Sequence, residues 1–259
     1  MFKSKNLLAV AADAKTIKGE GEGVLTGILY FAPHTLSGHQ VCPKASPECM
    51  AACLYTAGRG VYNSVQTGRL NKTKWFFAER DTFMEKLVKE VEALEKKAKK
   101  NKMIPAIRLN GTSDIAWEKI ACIRNGKVYQ SIMDAFPSVQ SYDYSKILGR
   151  KRAIALPNYH LTFSLSENND AEAVKALAQG YNVAVVIKTG RKTPKPATWG
   201  GYPAIDGDKT DIRFRDPKGG HIVLLRAKGK AQKMADGDGF IRKIDGQFKV
   251  KAIPLALVA

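Results

Sequence analysis

No stretch of this sequence approaches the roughly 18 consecutive apolar residues that a membrane-spanning helix requires. The opening residues offer only the short apolar run 7–12, which Asp13 and Lys15 interrupt, so the h-region of a secretory signal is missing too. A soluble protein that stays in a cytoplasm, with no membrane partner, is expected. Cysteine is scarce at four residues in 259, and without an export signal it predicts reduced thiols, not a disulfide framework. Acidic residues are outnumbered 24 to 42 by Lys and Arg, which leaves a formal charge of +18. No G-x-G-x-x-G, H-E-x-x-H or G-x-S-x-G occurs, which removes the usual dinucleotide, zinc-protease and hydrolase-elbow readings. No repeat of about 20 to 50 residues suggests a solenoid. GEGEG at 19–23 has no following Lys-Ser or Lys-Thr, and Glu20 and Glu22 would repel a phosphate, so it reads as a flexible lead-in to a first strand.

What is present alternates between apolar strands and polar strand ends. Residues 24–33 (VLTGILYFAP) suit a buried strand, and 104–109 (IPAIRL), 139–144, 160–165, 183–187 (VAVVI) and 221–226 suit further ones. From Asp81 to Lys100 the apolar positions Phe83, Met84, Leu87, Val88, Val91, Leu94 and Ala98 recur at three- and four-residue steps, the pattern of an amphipathic helix. Residues 170–179 read as another helix, capped by Asn169 or Asp170 and stopped by Gly180. Strand, polar loop, helix, strand is the βαβ signature. The simplest architecture is one α/β domain over residues 1–259, with about six parallel strands in an open sheet or, as the favoured form, a partial or complete TIM-like barrel, and the site at the strands' carboxyl ends.

Cys42, Cys49 and Cys53 stand in CPKASPECMAAC, directly after the first strand and inside a cysteine-rich loop at 34–60. Three thiolates on one loop can grip a single soft ion or one cluster. A [4Fe-4S] cluster normally takes four cysteines, so three leave one iron open to a small molecule or a non-Cys residue. Zinc would want a fourth ligand, from His39, His34 or Cys122. Three ordinary buried thiols are the bland alternative. Cys122 lies between Ala121 and Ile123 and reads first as a structural thiol.

The strand-end clusters LNGTSD and SLSENND put Asn110, Ser113, Asp114, Ser166 and Glu167 at one rim, as candidates for lining a cavity beside the cluster. Ser113 or Asp114 could equally cap a helix starting near Ile115. Asp206, Asp208 and Asp211 could hold a hard cation, although a glycine-containing turn with solvated carboxylates explains them as well. Basic residues gather at Lys96, Lys97, Lys99, Lys100 and Lys102, at Arg150, Lys151 and Arg152, and at Arg191, Lys192 and Lys195. The dipole of the long helix accounts for the first group. The rest fits weak, sequence-independent nucleic-acid binding or a solvated basic surface.

Taken in order, CPKASPECMAACLYTAGRG, AIRLNGTSDIAWE, YDYSK, NYHLTFSLSE, NVAVVIK and IDGDKTDIRFRDPKGG resemble the gene product eighty-eight family of tailed bacteriophages. That resemblance implies phage origin and a host cytoplasm, and little chemistry. A weaker likeness is to radical S-adenosylmethionine enzymes, which place three cysteines on a loop after the first strand of a TIM-like barrel. Their usual spacing is C-x3-C-x2-C, against x6 then x3 here, and Asn110, Gly111 and Thr112 stand where a Gly-Gly-Glu would follow the second strand. The cluster ligands carry over and S-adenosylmethionine does not. The leading expectation is a phage-encoded iron–sulfur protein. The alternative is a zinc-stapled nucleic-acid-binding protein of phage replication, with His39 or His34 as fourth ligand. Oligomeric state is not legible.

Overall fold

The computed structural model describes residues 4–10 and 14–250. The end of the apolar run at 11–12, with Asp13, lies outside the described residues.

In chain order the regular elements begin with β1 (Leu8–Val10), α1 (Ala14–Gly21), β2 (Val24–Leu29), α2 (Pro47–Ala51), α3 (Asn63–Ala78), α4 (Arg80–Lys100) and β3 (Ile104–Arg108). They continue with β4 (Cys122–Arg124), β5 (Lys127–Tyr129), α5 (Ile132–Ala135), β6 (Gln140–Ser145), α6 (Lys151–Ala155), β7 (Tyr159–Ser164), α7 (Asp170–Ala178) and β8 (Asn182–Ile187). The last are β9 (Thr198–Trp199), β10 (Tyr202–Asp206), β11 (Ile222–Arg226) and β12 (Ile241–Arg242).

One mixed sheet organises the chain, in the order β1-β2-β3-β6-β7-β8-β11-β10-β9. From β2 to β10 every neighbouring pair is parallel, while β1 and β9 pair antiparallel at the two edges. The fold is therefore α/β with seven consecutive parallel strands, one more than expected. β12 adds to the carboxyl end of β8, alongside Val186 and Ile187, just where β7 has stopped pairing. Among the described residues the strands do not close into a ring. The expected complete barrel is not formed, because β1 and β9 occupy edges that a barrel would join.

The period of two along each strand sorts the sheet into two faces. Outward residues of β2 and β3, such as Leu25, Leu29 and Ile107, pack with all seven predicted apolar positions of α4. Further along, Val183, Val185 and Ile187 of β8 meet Ala173, Val174 and Leu177 of α7. Helix α3 escaped the sequence reading because its buried residues are Arg69, Thr73, Trp75 and Phe76, which form no apolar stripe. On the inner face, the connection from β10 to β11 folds back across the sheet. Its Ile212 and Phe214 pack on Val24, Ala106 and Tyr142, the amino-terminal part of the parallel strands. The carboxyl-terminal part stays open as a cavity.

The glycine-rich lead-in is more ordered than expected. Gly19 and Gly21 close α1, and the Glu22 carboxylate accepts from Thr210 Oγ1 at 2.8 Å, which ties the first strand to the inner connection.

Candidate functional site

The cavity has a volume of about 550 Å³ and opens at the carboxyl ends of β3, β6, β7, β8 and β11. Cys42, Cys49 and Cys53 all line it, together with Asn110, Ser113 and Asp114. Thus the cysteine loop and the β3 strand end, distant in sequence, share one space. Ser166 and Glu167 do not line it, a correction to the rim drawn from sequence. Cys122 is absent from the lining as well and is buried at the start of β4, in the core under α4.

Ser166 is fully buried and joins its own loop to β12: its N–H donates to Asn169 Oδ1 at 2.7 Å and its carbonyl accepts from Arg242 Nη2 at 2.8 Å. Glu167 reaches the cysteine loop from outside the cavity. Its carboxylate accepts from Ser46 Oγ at 2.6 Å and from the Glu48 N–H at 2.8 Å, so it caps the short helix α2 that carries Cys49. Glu48 in turn accepts from the Phe240 N–H at 2.7 Å, and Ala52 packs on Ala227, Ala231 and Ile241. The loop is thereby fixed from three later segments. Sequence reading could not supply these contacts, since neither Glu167 nor Glu48 lies near its partner along the chain.

Two of the three sulfurs already meet backbone donors. The His34 N–H points at Cys42 Sγ at 3.4 Å, and Cys53 accepts from the Tyr55 N–H. Donors of this kind are what metal-bound thiolates use. Burial pushes the Cys42 thiol up to about 12 and raises Cys53 as well, and the neighbouring cysteines add to both shifts. Deprotonating them therefore calls for a compensating cation. Among the described residues no three His, Cys, Asp or Glu side chains converge on one point as ligands of a single ion. His34 lines the cavity, whereas the His39 ring lies flat on Phe77, 4.2 Å between centroids.

The β3 strand end is a buried polar knot. Asn110 Oδ1 accepts from Ser113 Oγ at 2.8 Å and from the Ile115 N–H at 2.9 Å, while its own N–H donates to Asp143 Oδ1 at 2.8 Å. Asp114 accepts from the Lys146 N–H at 2.8 Å and faces Arg150, which is 4% exposed and paired with the fully buried Glu118. Burial raises Asp114 and carries Asp143 up to about 6. No regular helix begins near Ile115; a single 3-10 turn at Trp117–Lys119 stands there. Gly111 passes so close to Tyr30 that a Cβ would sit 2.6 Å from its ring.

A family model described as Gene product 88 matches residues 3–244 of the chain. The chain belongs to that family. No curated protein and no solved structure matches it, and the likeness to radical S-adenosylmethionine enzymes gains no support from these comparisons.

The cavity lining in this family member is also basic. Lys18, Arg108, Lys146, Arg191, Arg226 and Lys228 line it, against Asp114, Asp208 and Asp211. The three acidic residues read from sequence as a cation site are already neutralised. Lys195, 5% exposed, pairs with both Asp206 and Asp208, Lys228 pairs with Asp208 at 2.8 Å, and Arg108 pairs with Asp211 at 3.3 Å. Each carboxylate is thus engaged by a cation of the chain, Asp206 while partly exposed to solvent. The Arg150 triplet is likewise no basic patch, since Arg150 is buried and Arg152 pairs with Asp134 at 2.6 Å. No helix among the described residues is long and apolar enough to cross a membrane.

Proposed function

We propose that this phage protein binds a [4Fe-4S] cluster through Cys42, Cys49 and Cys53, within a single α/β domain whose curved sheet forms a partial barrel. It would present a small molecule to the iron that the three thiolates leave open. The observation that carries the reading is that three sulfurs, from a loop and a short helix, line one roomy cavity, with backbone N–H groups already donating to two of them. When bound, the cluster would supply electron transfer or Lewis acidity. The chain's own residues hold the half-buried thiols in place through the Glu167 and Glu48 contacts. S-adenosylmethionine is not part of the proposal. With a net charge of +18, weak and salt-sensitive contact with nucleic acid in the host cytoplasm accompanies it.

The test is anaerobic purification or reconstitution followed by metal and acid-labile sulfide analysis. Brown protein with iron and sulfide in nearly equal amounts is expected. Colourless protein with one zinc per chain would replace this reading with the zinc-stapled alternative, in which His34 is better placed than His39.

A further inference from the structure

Besides the cysteines, the cavity is lined by residues with chemistry of their own. Arg108 on β3 lines the cavity at only 5% exposure, and among the described residues only its Nη1 finds an acceptor, Asp211 at 3.3 Å. Its Nε has none. The guanidinium stands 4.8 Å from the ring centroid of Tyr144 on β6, whose hydroxyl is also buried without a partner. A buried guanidinium presents five N–H donors, and leaving most of them unmet is costly unless something else is meant to accept.

Charge around the cavity points the same way. Each lining carboxylate has its own cation: Asp114 faces Arg150, Asp208 pairs with Lys228, and Asp211 pairs with Arg108. Among the described residues, Lys18 and Lys146 donate to neutral oxygens. Lys18 Nζ reaches the Asp208 carbonyl at 2.8 Å, and Lys146 Nζ reaches Ser164 Oγ at 2.9 Å. The space is thus positive in excess, and its concave, partly dehydrated walls strengthen the attraction. Its volume, about 550 Å³, falls within the range of small-molecule sites.

We propose that Arg108 and Tyr144 form an anion subsite for the small molecule, which carries a carboxylate or phosphate group held there while its other end faces the cysteines. Arg108 supplies the planar fork that matches either group, Tyr144 adds a hydroxyl donor, and Lys18 and Lys146 supply the field. The orientation towards the cysteines rests on the cluster reading above; the subsite itself rests on these residues alone.

Calorimetric titration of the full chain, both metal-free and reconstituted, with inorganic phosphate and with succinate tests this. Saturable binding of one of them is expected in the metal-free protein, and the tighter of the two identifies the group. The binding should persist at half-molar salt, because a buried pair is screened far less than an exposed one. Arg108→Gln should weaken it by roughly tenfold or more, and Tyr144→Phe, which keeps the ring under the guanidinium, by about threefold. Lys96→Gln, on the exposed face of α4, should leave it unchanged. If Arg108→Gln does not fold, Tyr144→Phe decides. Absence of saturable binding, or wild-type affinity in Tyr144→Phe, overturns the proposal. Anion binding without iron incorporation would sink the cluster reading and leave the subsite standing; iron incorporation without anion binding would do the reverse.

Discussion

Replacing Glu167 by Ala should loosen the cysteine loop without touching the cavity. The Glu167 carboxylate accepts from Ser46 Oγ at 2.6 Å and from the Glu48 N–H at 2.8 Å, at the amino end of α2. Hydrogen bonds to a charged group contribute about 1.5 to 3 kcal/mol each when buried. Glu167 is half-buried, so water recovers part of both, and about 2 kcal/mol of local stability is the expected loss. That corresponds to roughly 30-fold faster opening of the segment. Hydrogen exchange read by mass spectrometry should show that acceleration over residues 46–53, with α4 and the central strands unchanged. Ser46→Ala, which removes one donor of the pair, should give a smaller effect of about fivefold. Iron retention after reconstitution should fall with Glu167→Ala, because metal binding and local order are coupled. If 46–53 exchanges at the wild-type rate in Glu167→Ala, the carboxylate does not position this loop and the reasoning fails.

Three further outcomes follow from the geometry. Cys42→Ser, Cys49→Ser and Cys53→Ser should each lose most of the iron, whereas Cys122→Ser, buried in the core outside the cavity, should keep the metal and cost about 1 to 2 kcal/mol in chemical denaturation. Gly111→Ala should destabilise by about 1 to 3 kcal/mol, since the new Cβ would meet the Tyr30 ring at 2.6 Å and the Leu29 carbonyl at 2.7 Å; denaturation midpoints would show it, and an unchanged midpoint would mean the strand end yields freely. Asp143 is raised by burial from 3.8 to about 6, so its contribution to stability is fully present below 3.8 and is lost as pH rises through about 6. Asp143→Asn should therefore flatten the stability profile across that window, and an unaltered slope in urea melts taken at several pH values would refute the assignment.

The parts of the fold that were legible in the sequence are those where local pattern and tertiary role coincide. α4 shows a three-and-four spacing of apolar residues, and all seven are buried. β8 is apolar from Val183 to Ile187 because one face packs on α7 while Ala184 and Val186 line the cavity. α3 was invisible because it buries an Arg and a Thr, with Thr73 Oγ1 accepting from the Ala32 N–H at 2.9 Å. β10 was hidden among glycines and prolines, and β12 is only two residues long. At the site, the cysteines stood out by density alone, and Asn110, Ser113 and Asp114 by following a strand. Glu167 reads as a lining residue yet caps α2, and Ser166 binds its own loop to β12; polar residues after a strand look alike whether they face a ligand or hold a neighbouring backbone. Arg108 and Tyr144 went unnoticed because each sits inside a strand, where only the inner-face parity reveals its direction.

The connection that folds back across the inner face also sets the order in which the molecule can be finished during synthesis. Lys18 and Glu22, near the start of the chain, are secured by Asp208 and Thr210, and the cysteine loop takes its final contacts from Glu167, Phe240 and Ile241. A ribosome emits Glu167 119 residues after Glu48, and the other partners 188 to 192 residues after theirs, so the early strands wait with their inner face uncovered. Contacts this distant in sequence form slowly and leave apolar surface exposed meanwhile. The cavity with its three thiols is completed only once Phe240 and Ile241 have emerged, and any cluster delivered earlier would meet a loop that is still unanchored.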